Sequence, residues 1–337
     1  MKPTRLAVLA GLLVALVATV VLPQQLPDID RASVERVIRV LADDDMEGRS
    51  AFSPAAMRAA EFIASEFEAI GLQPMPGDDG YLQRFEATPR RRGGRRGGGD
   101  ADQQQPEPEP YPMANVVGMI EGNRTDEFVV FSGHYDHIGI RPGGEDTIAN
   151  GANDDASGTT AVIELARFFE DQPKPERSLI FVAFTAEESG GFGSRYFSEQ
   201  LDPDQVIAMF NIEMIGKPAV SGPNTAWITG YDRSSFGQIL SDAVEGTIYE
   251  FYPDPYPDQN LFFRSDNATL ARLGVPAHSI STTPIDVDPD YHQVSDEVDT
   301  LDLDHMTNTI RAIALAAETI ISGEATPTRV DPDSVRR

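Results

Sequence analysis

Residues 179–190 read LIFVAFTAEESG: six apolar residues that stop abruptly at Thr185-Ala186-Glu187-Glu188. An unbroken apolar run of this length, bounded by turn residues, is a strand buried on both faces, as in parallel sheets. Two carboxylates at the end of such a strand are costly unless they are paired or hold a cation. The same pattern recurs on either side. Residues 128–132, FVVFS, run into Gly133-His134-Tyr135-Asp136-His137, and residues 206–210, VIAMF, run into Asn211-Ile212-Glu213. Residues 115–120, 226–229 and 275–281 read as further strands. Helical patterns cover 157–169, 193–200, 265–273 and 305–322. Strands alternating with helices predict an α/β fold: a three-layer sandwich with a mixed, mostly parallel central sheet and helices on both faces.

Upstream, residues 28–41 read as a helix with Val34, Val37, Ile38 and Leu41 on one face, and 53–70 as a second helix. Ser53 is its expected N-cap, Pro54 its first turn and Gly71 its stop. Lys2 and Arg5 precede an uncharged apolar run at 6–22, so residues 1–27 are expected to be a signal peptide or an N-terminal membrane anchor. Either case implies an exported protein, periplasmic or extracellular, tethered through 6–22 if the segment is kept. Residues 89–111 hold clustered arginines, then glycines, then acids and prolines, and predict a flexible low-complexity insertion. The main domain is expected over 28–322 and a disordered tail over 323–337.

Composition narrows the chemistry. The 337 residues include 54 acidic and 27 basic side chains, a net charge of −27, which argues against nucleic acid as a partner. Hydrophobic residues at 40% suffice for a sizeable core. With no cysteine there is no disulfide, thiolate metal site, iron–sulfur cluster or cysteine nucleophile. Any metal site must draw on His, Asp, Glu and water.

Those residues cluster in five places: HYDHIG at 134–139, GANDDASG at 151–158, AEESGG at 186–191, NIEMIG at 211–216 and YHQ at 291–293. Sites in open α/β sheets form outside the carboxyl ends of strands, where these clusters fall. Each alone suits a solvated turn or a helix cap. Their conjunction in order does not. The zincin His-Glu-x-x-His helix, the Gly-x-Ser-x-Gly elbow and the Walker A loop are absent.

As an ordered set, with LADDDMEGR at 41–49 and FFRSDNATLARLGVPA at 262–277, these motifs resemble the M28 family of dizinc aminopeptidases. The resemblance implies Asp154 as the carboxylate bridging two Zn²⁺ ions, with Co²⁺ or Mn²⁺ as alternatives. It implies His134 and Glu213 as further ligands of one ion, and Glu188 and His292 as further ligands of the other. Glu187 matches the general acid/base, Asp136 the carboxylate behind His134, and Tyr291 a phenol near the reacting carbonyl. Arg264 matches a substrate-contacting arginine, and the Asp154–Asp155 bond a cis peptide. Two positions depart from the family pattern: Glu213 replaces the usual Asp, and Asn267 stands where many relatives have His or Tyr.

The implied activity is removal of N-terminal residues from peptides with a free α-amine. Two metals about 3.5–4 Å apart can share a water and lower its pKa, and neighbouring carboxylates divide the work if one binds metal while the other moves a proton. Two alternatives stay open: a single-zinc glutaminyl cyclase-like transferase and a non-catalytic binding protein of the same fold. Of the remaining histidines, His137 is expected behind the ligands or in a structural role, His278 satisfied or on the surface, and His305 facing solvent.

Overall fold

A computed structural model describes residues 26–78, 80–89 and 108–335. The expected leader or anchor segment and most of the 89–111 insertion lie outside the described residues. Among the described residues, no helix is long and apolar enough to cross a membrane.

Helix α1 spans Arg31–Leu41, and the Asp30 side chain accepts from Ala32 N–H. Its buried face is Val34, Val37, Ile38 and Leu41, the spacing of one helical stripe. Helix α2 spans Pro54–Ile70 and ends at Gly71, whose φ of 98° is the left-handed stop that glycine permits. Ser53 occupies the cap position, but its hydroxyl donates to Ser50 C=O and makes no side-chain cap.

The strands are β1 (Gln73–Pro74), β2 (Leu82–Ala87), β3 (Tyr111–Ile120), β4 (Arg124–His134), β5 (Gly139–Ile140), β6 (Ile148–Ala149), β7 (Arg177–Phe184), β8 (Val206–Ile212), β9 (Thr225–Ile228), β10 (Glu250–Pro253) and β11 (Ala277–Ser281). Between and after them come α3 (Ser157–Glu170), α4 (Phe192–Glu199), α5 (Phe236–Ala243), α6 (Asn267–Ala271) and α7 (Leu303–Ile321). The main sheet runs β1-β3-β7-β4-β8-β11-β9-β10, with β2 also on β3. Its four middle strands, β7-β4-β8-β11, are parallel, while β3 and β9 join them antiparallel. The sheet is mixed, as expected, and all four parallel strands end on one edge. The short strands β5 and β6 form a separate hairpin.

Strand alternation sorts side chains into two cores. Val129, Phe131, Leu179, Phe181 and Phe210 pack with residues of α1, α2, α3, α5 and α7. Val130, Ile180, Val182, Phe184 and Met209 pack with residues of α4 and α6. This is the expected three-layer sandwich.

Two expectations need correction. Residues after Gly323 are not a loose tail: Val330 and Val335 are buried in the second core. Arg177 donates to Ala325 C=O and Thr326 Oγ1, and Arg329 donates to Val206 C=O. Arg177 of the body and Arg329 of the segment itself fix a stretch that reads as polar. His305 is buried rather than facing solvent, because α7 is buried around most of its circumference.

Candidate active site

The sequence clusters meet at the carboxyl edge of the parallel strands. His134 ends β4, Glu187 and Glu188 follow β7, and Glu213 follows β8. Asp154 lies just before α3, and Tyr291 and His292 sit on the loop between β11 and α7. Together with Arg264, Asp154, Glu187, Glu188, Glu213, Tyr291 and His292 line one cleft.

Asp154 is held by its neighbours. The Asp296 carboxylate accepts from Asn153 N–H (2.9 Å) and Asp154 N–H (3.0 Å). The peptide bond between Asp154 and Asp155 is cis. The Asp155 carboxylate accepts from the backbone N–H groups of His134, Gly158 and Met214, at 3.2, 2.9 and 3.0 Å. One buried side chain thus ties the end of β4, the start of α3 and the residue after Glu213. Gly158 has to be glycine: a Cβ there would lie 2.0 Å from Ile212 O.

The two carboxylate oxygens of Asp154 face different histidines. Oδ1 is 3.4 Å from His134 Nε2, and Oδ2 is 3.1 Å from His292 Nε2. That arrangement suits a bridging role. Burial works against its charge, but the facing imidazoles of His134 and His292 and the nearby His137 hold its pKa well below the usual carboxylate range. On the far side of the His134 ring, Nδ1 is 3.1 Å from Asp136 C=O. The Asp136 carboxylate accepts from Glu187 N–H at 3.0 Å, so it pins the turn of the two glutamates. Burial pushes its pKa up to about 7.

Ala186 sits at φ 61°, the left-handed kink that redirects the chain before the glutamates. Glu188 Oε1 lies 3.0 Å from His292 Nε2 and 3.2 Å from His137 Nδ1. Burial raises the pKa of Glu187 well above its ordinary value against the pull of His134, and the carboxyl groups of Asp266, Glu213 and Glu188 add to the rise. Glu213 is pushed up to about 7, first by burial. Its Oε2 is 3.5 Å from the Asn211 amide, which also bonds Ser265 and Ser279.

Tyr291 stacks on His292 with ring centroids 4.0 Å apart, and its hydroxyl is 3.2 Å from Arg264 Nη2. Lys217 clamps their loop: Nζ is 2.5 Å from Asp288 Oδ1 and 2.7 Å from Asp290 Oδ2. Arg141 donates to His292 C=O. On the other flank, the buried Arg49 guanidinium donates to the carbonyls of Leu41, Tyr135, Asn150 and Gly151.

The residues present fit a metal centre. His134 Nε2, both nitrogens of His137, Asp136 Oδ2 and Glu188 Oε1 are buried without a hydrogen-bond partner, and orphaned buried polar atoms call for a binding partner. His and carboxylate without thiolate suit Zn²⁺. Among the described residues, His137, Asp154 and Glu188 offer donor atoms that all lie within 4.8 Å of one another.

Sequence reasoning named the side chains that face the cleft and missed those that hold them. Arg49, Asp155, Asp296 and Lys217 carried no recognisable signal beyond their membership of the motifs or their nearness to them. His137, expected behind the ligands or in a structural role, has its ring among the donor atoms of Asp154 and Glu188. His278 is buried and satisfied, between Ser234 Oγ (2.7 Å) and Thr229 C=O (2.8 Å).

Several known proteins resemble this chain in sequence or in fold. A probable leucine aminopeptidase 1 from Trichophyton verrucosum is 31% identical over 216 residues, 57% of this chain and 54% of that protein. A probable zinc metalloprotease from Pyrenophora teres f. teres is 35% identical over 107 residues, 31% of this chain and 23% of that protein. The chain thus spans about a quarter to half the length of these curated relatives. In fold, a zinc aminopeptidase from Bacillus subtilis superposes with a TM-score of 0.69 at 16% identity, covering 90% of this chain and 98% of that one. A glutaminyl cyclase from Bacteroides thetaiotaomicron superposes with a TM-score of 0.62 at 17% identity, covering 89% of this chain and all (100%) of that one. The family model for peptidase family M28 matches residues 115–317, a span that includes the whole cleft edge from His134 to His292, and the chain belongs to that family.

Proposed function

We propose that this chain is an exported zinc aminopeptidase that releases N-terminal residues from peptides through a two-metal site. The observation that carries the reading is Asp154: its two oxygens face His134 and His292 while Glu187 and Glu188 share the same cleft. His134, Asp154 and Glu213 would hold one ion, and Asp154, Glu188 and His292 the other. Bound zinc supplies Lewis acidity, polarising a carbonyl and acidifying water.

The chain's own residues do the rest. Glu187, with its raised pKa, takes a proton from the attacking water and returns it to the departing amine nitrogen. Tyr291 and Arg264 offer hydrogen-bond donors to the carbonyl oxygen as it gains charge. The carboxylates around the cleft accept the cationic α-amine of a free N-terminus. Met214, Trp227, Leu261 and Ile285 add an apolar lining that suits a leucine-like or aromatic first side chain. Lys2, Arg5 and the apolar run at 6–22 support export to the periplasm or beyond.

Metal analysis of the purified protein, paired with release from a panel of leucyl, phenylalanyl, lysyl and glutamyl amides, tests the reading. Two zinc ions per chain and preferential, chelator-sensitive release of leucine or phenylalanine are expected. One zinc per chain with cyclisation of N-terminal glutamine would overturn it, as would zinc-loaded protein that releases nothing.

A further inference from the structure

His137 follows β4 by three residues and is shut off from solvent, with a side-chain exposure of 0%. Neither ring nitrogen makes a hydrogen bond. Buried imidazoles ordinarily hydrogen-bond through at least one nitrogen, and this ring has only the carboxylates beside it. Its position is built rather than incidental. His137 N–H donates to Arg49 C=O, and the ring rests against Gly151, where a Cβ would come within 2.4 Å of the imidazole Cγ. The φ of +58° at Gly151 and the absence of a side chain there leave the ring its space.

The ring is aimed at two carboxylates. Nδ1 lies 3.2 Å from Glu188 Oε1 and 3.9 Å from Asp154 Oδ2. Two donors bound to one tetrahedral zinc at their usual bond lengths stand about 3.3 Å apart. His137 Nδ1 and Glu188 Oε1 already stand at about that spacing, and Asp154 completes a group of donor atoms within 4.8 Å of one another. His292 approaches the same two oxygens from the cleft side, on a half-exposed loop.

We propose that His137 Nδ1 is a metal ligand of the centre, a sixth protein donor beside His134, Asp154, Glu188, Glu213 and His292. It supplies a rigid nitrogen where His292 supplies a loop-borne one. Glu188, Asp154 and His137 then retain the ion when that loop moves. The inference rests on the metallopeptidase reading of the site.

Zinc-loaded wild-type protein, crystallised and measured at the zinc absorption edge, tests the ligand directly. An anomalous peak within about 2.3 Å of His137 Nδ1 is expected. A peak from which Nδ1 stands more than about 3 Å away overturns the proposal and leaves His137 as a neighbour of Glu188 only. In solution, chelator competition on His137→Ala should show one zinc equivalent held at least about tenfold more weakly than in wild type. The Co²⁺-substituted variant should show an altered visible spectrum. Unchanged affinity and spectrum overturn the proposal. If wild type takes up no zinc, the metallopeptidase reading fails as well. If it takes up two ions with Nδ1 out of reach, only the His137 assignment fails. If His137→Ala does not fold, the wild-type anomalous map decides.

Discussion

His134 and His137 stand at the end of β4 and in the turn after it, whereas His292 reaches the same carboxylates from the loop between β11 and α7. The first two are 2% and 0% exposed at the side chain; the third is 37% exposed. The β4 flank is fixed by buried groups: Arg49 gathers four carbonyls, and Asp155 gathers three backbone N–H groups. The loop flank is fixed by a charge clamp, Lys217 with Asp288 and Asp290, and by Arg141 on the His292 carbonyl. Rigid placement suits proton transfer, where small displacements are costly. A loop held by ion pairs near the surface can yield to an entering substrate.

The largest expected effect tests the rigid flank's chemistry. Glu187→Gln keeps the side chain's size and removes its proton traffic, so kcat should fall about a thousandfold, within the usual range for a general acid/base. Metal content should not change. A variant that keeps most of its kcat would refute the role of Glu187.

Next is the rigid flank's support. Arg49→Met leaves four carbonyls near the buried interior without their donor, and unmet buried polar groups cost about 1–3 kcal/mol each. A loss of at least about 4 kcal/mol in denaturant unfolding is expected, with the proposed peptidase activity falling further than the folded fraction. If unfolding is unaffected, the buttress is not there.

His278 probes the sheet beneath the site. Its pKa is lowered to about 4 from an ordinary 6.5, chiefly by burial. The folded protein therefore resists protonating it. Its contribution is fully present above pH 6.5 and drains away as pH falls through the window down to about 4. Between pH 7 and pH 5 the loss should be about 2 kcal/mol. His278→Asn keeps a donor toward Thr229 C=O and should lose that share of acid sensitivity. Identical acid slopes for both proteins would count against a neutral, buried His278.

The smallest effect belongs to the loop flank. Lys217→Met removes the clamp without touching the cleft. The expected outcome is a rise in KM of about tenfold with a smaller change in kcat, since groups that orient ligands typically matter by 10–100-fold. Equal falls in kcat and kcat/KM would instead place Lys217 in the transition state.

The legible parts of this molecule have local causes. Val34, Val37, Ile38 and Leu41 announce α1 because helix spacing is written in the residues themselves. Likewise, the apolar runs at 128–132, 179–184 and 206–210 announce β4, β7 and β8. The strands β1, β2 and β10 and the helix α5 were not expected. They are short and polar at several positions, and they form because an edge or a face was there to pair with. The α5 residues Phe236 and Leu240 gain burial from the first core, which no local pattern declares. The tail failed for the same reason: Val330 and Val335 are isolated in a polar stretch, and only the body they meet makes them core.

Sequence alone determined the α/β class, the order of the motifs and the side chains that face the cleft, because strand ends and metal-type residues coincide along the chain. The tertiary structure decided which groups hold them. Arg49, Asp155, Asp296 and Lys217 act through contacts up to 142 residues away in the chain, and a charged residue in sequence gives no sign of whether it will be buried and paired. The structure also decided the place of His137. Its neighbours in sequence make it look like a bystander, and only the packing of Gly151, Asp154 and Glu188 around its ring makes it part of the site.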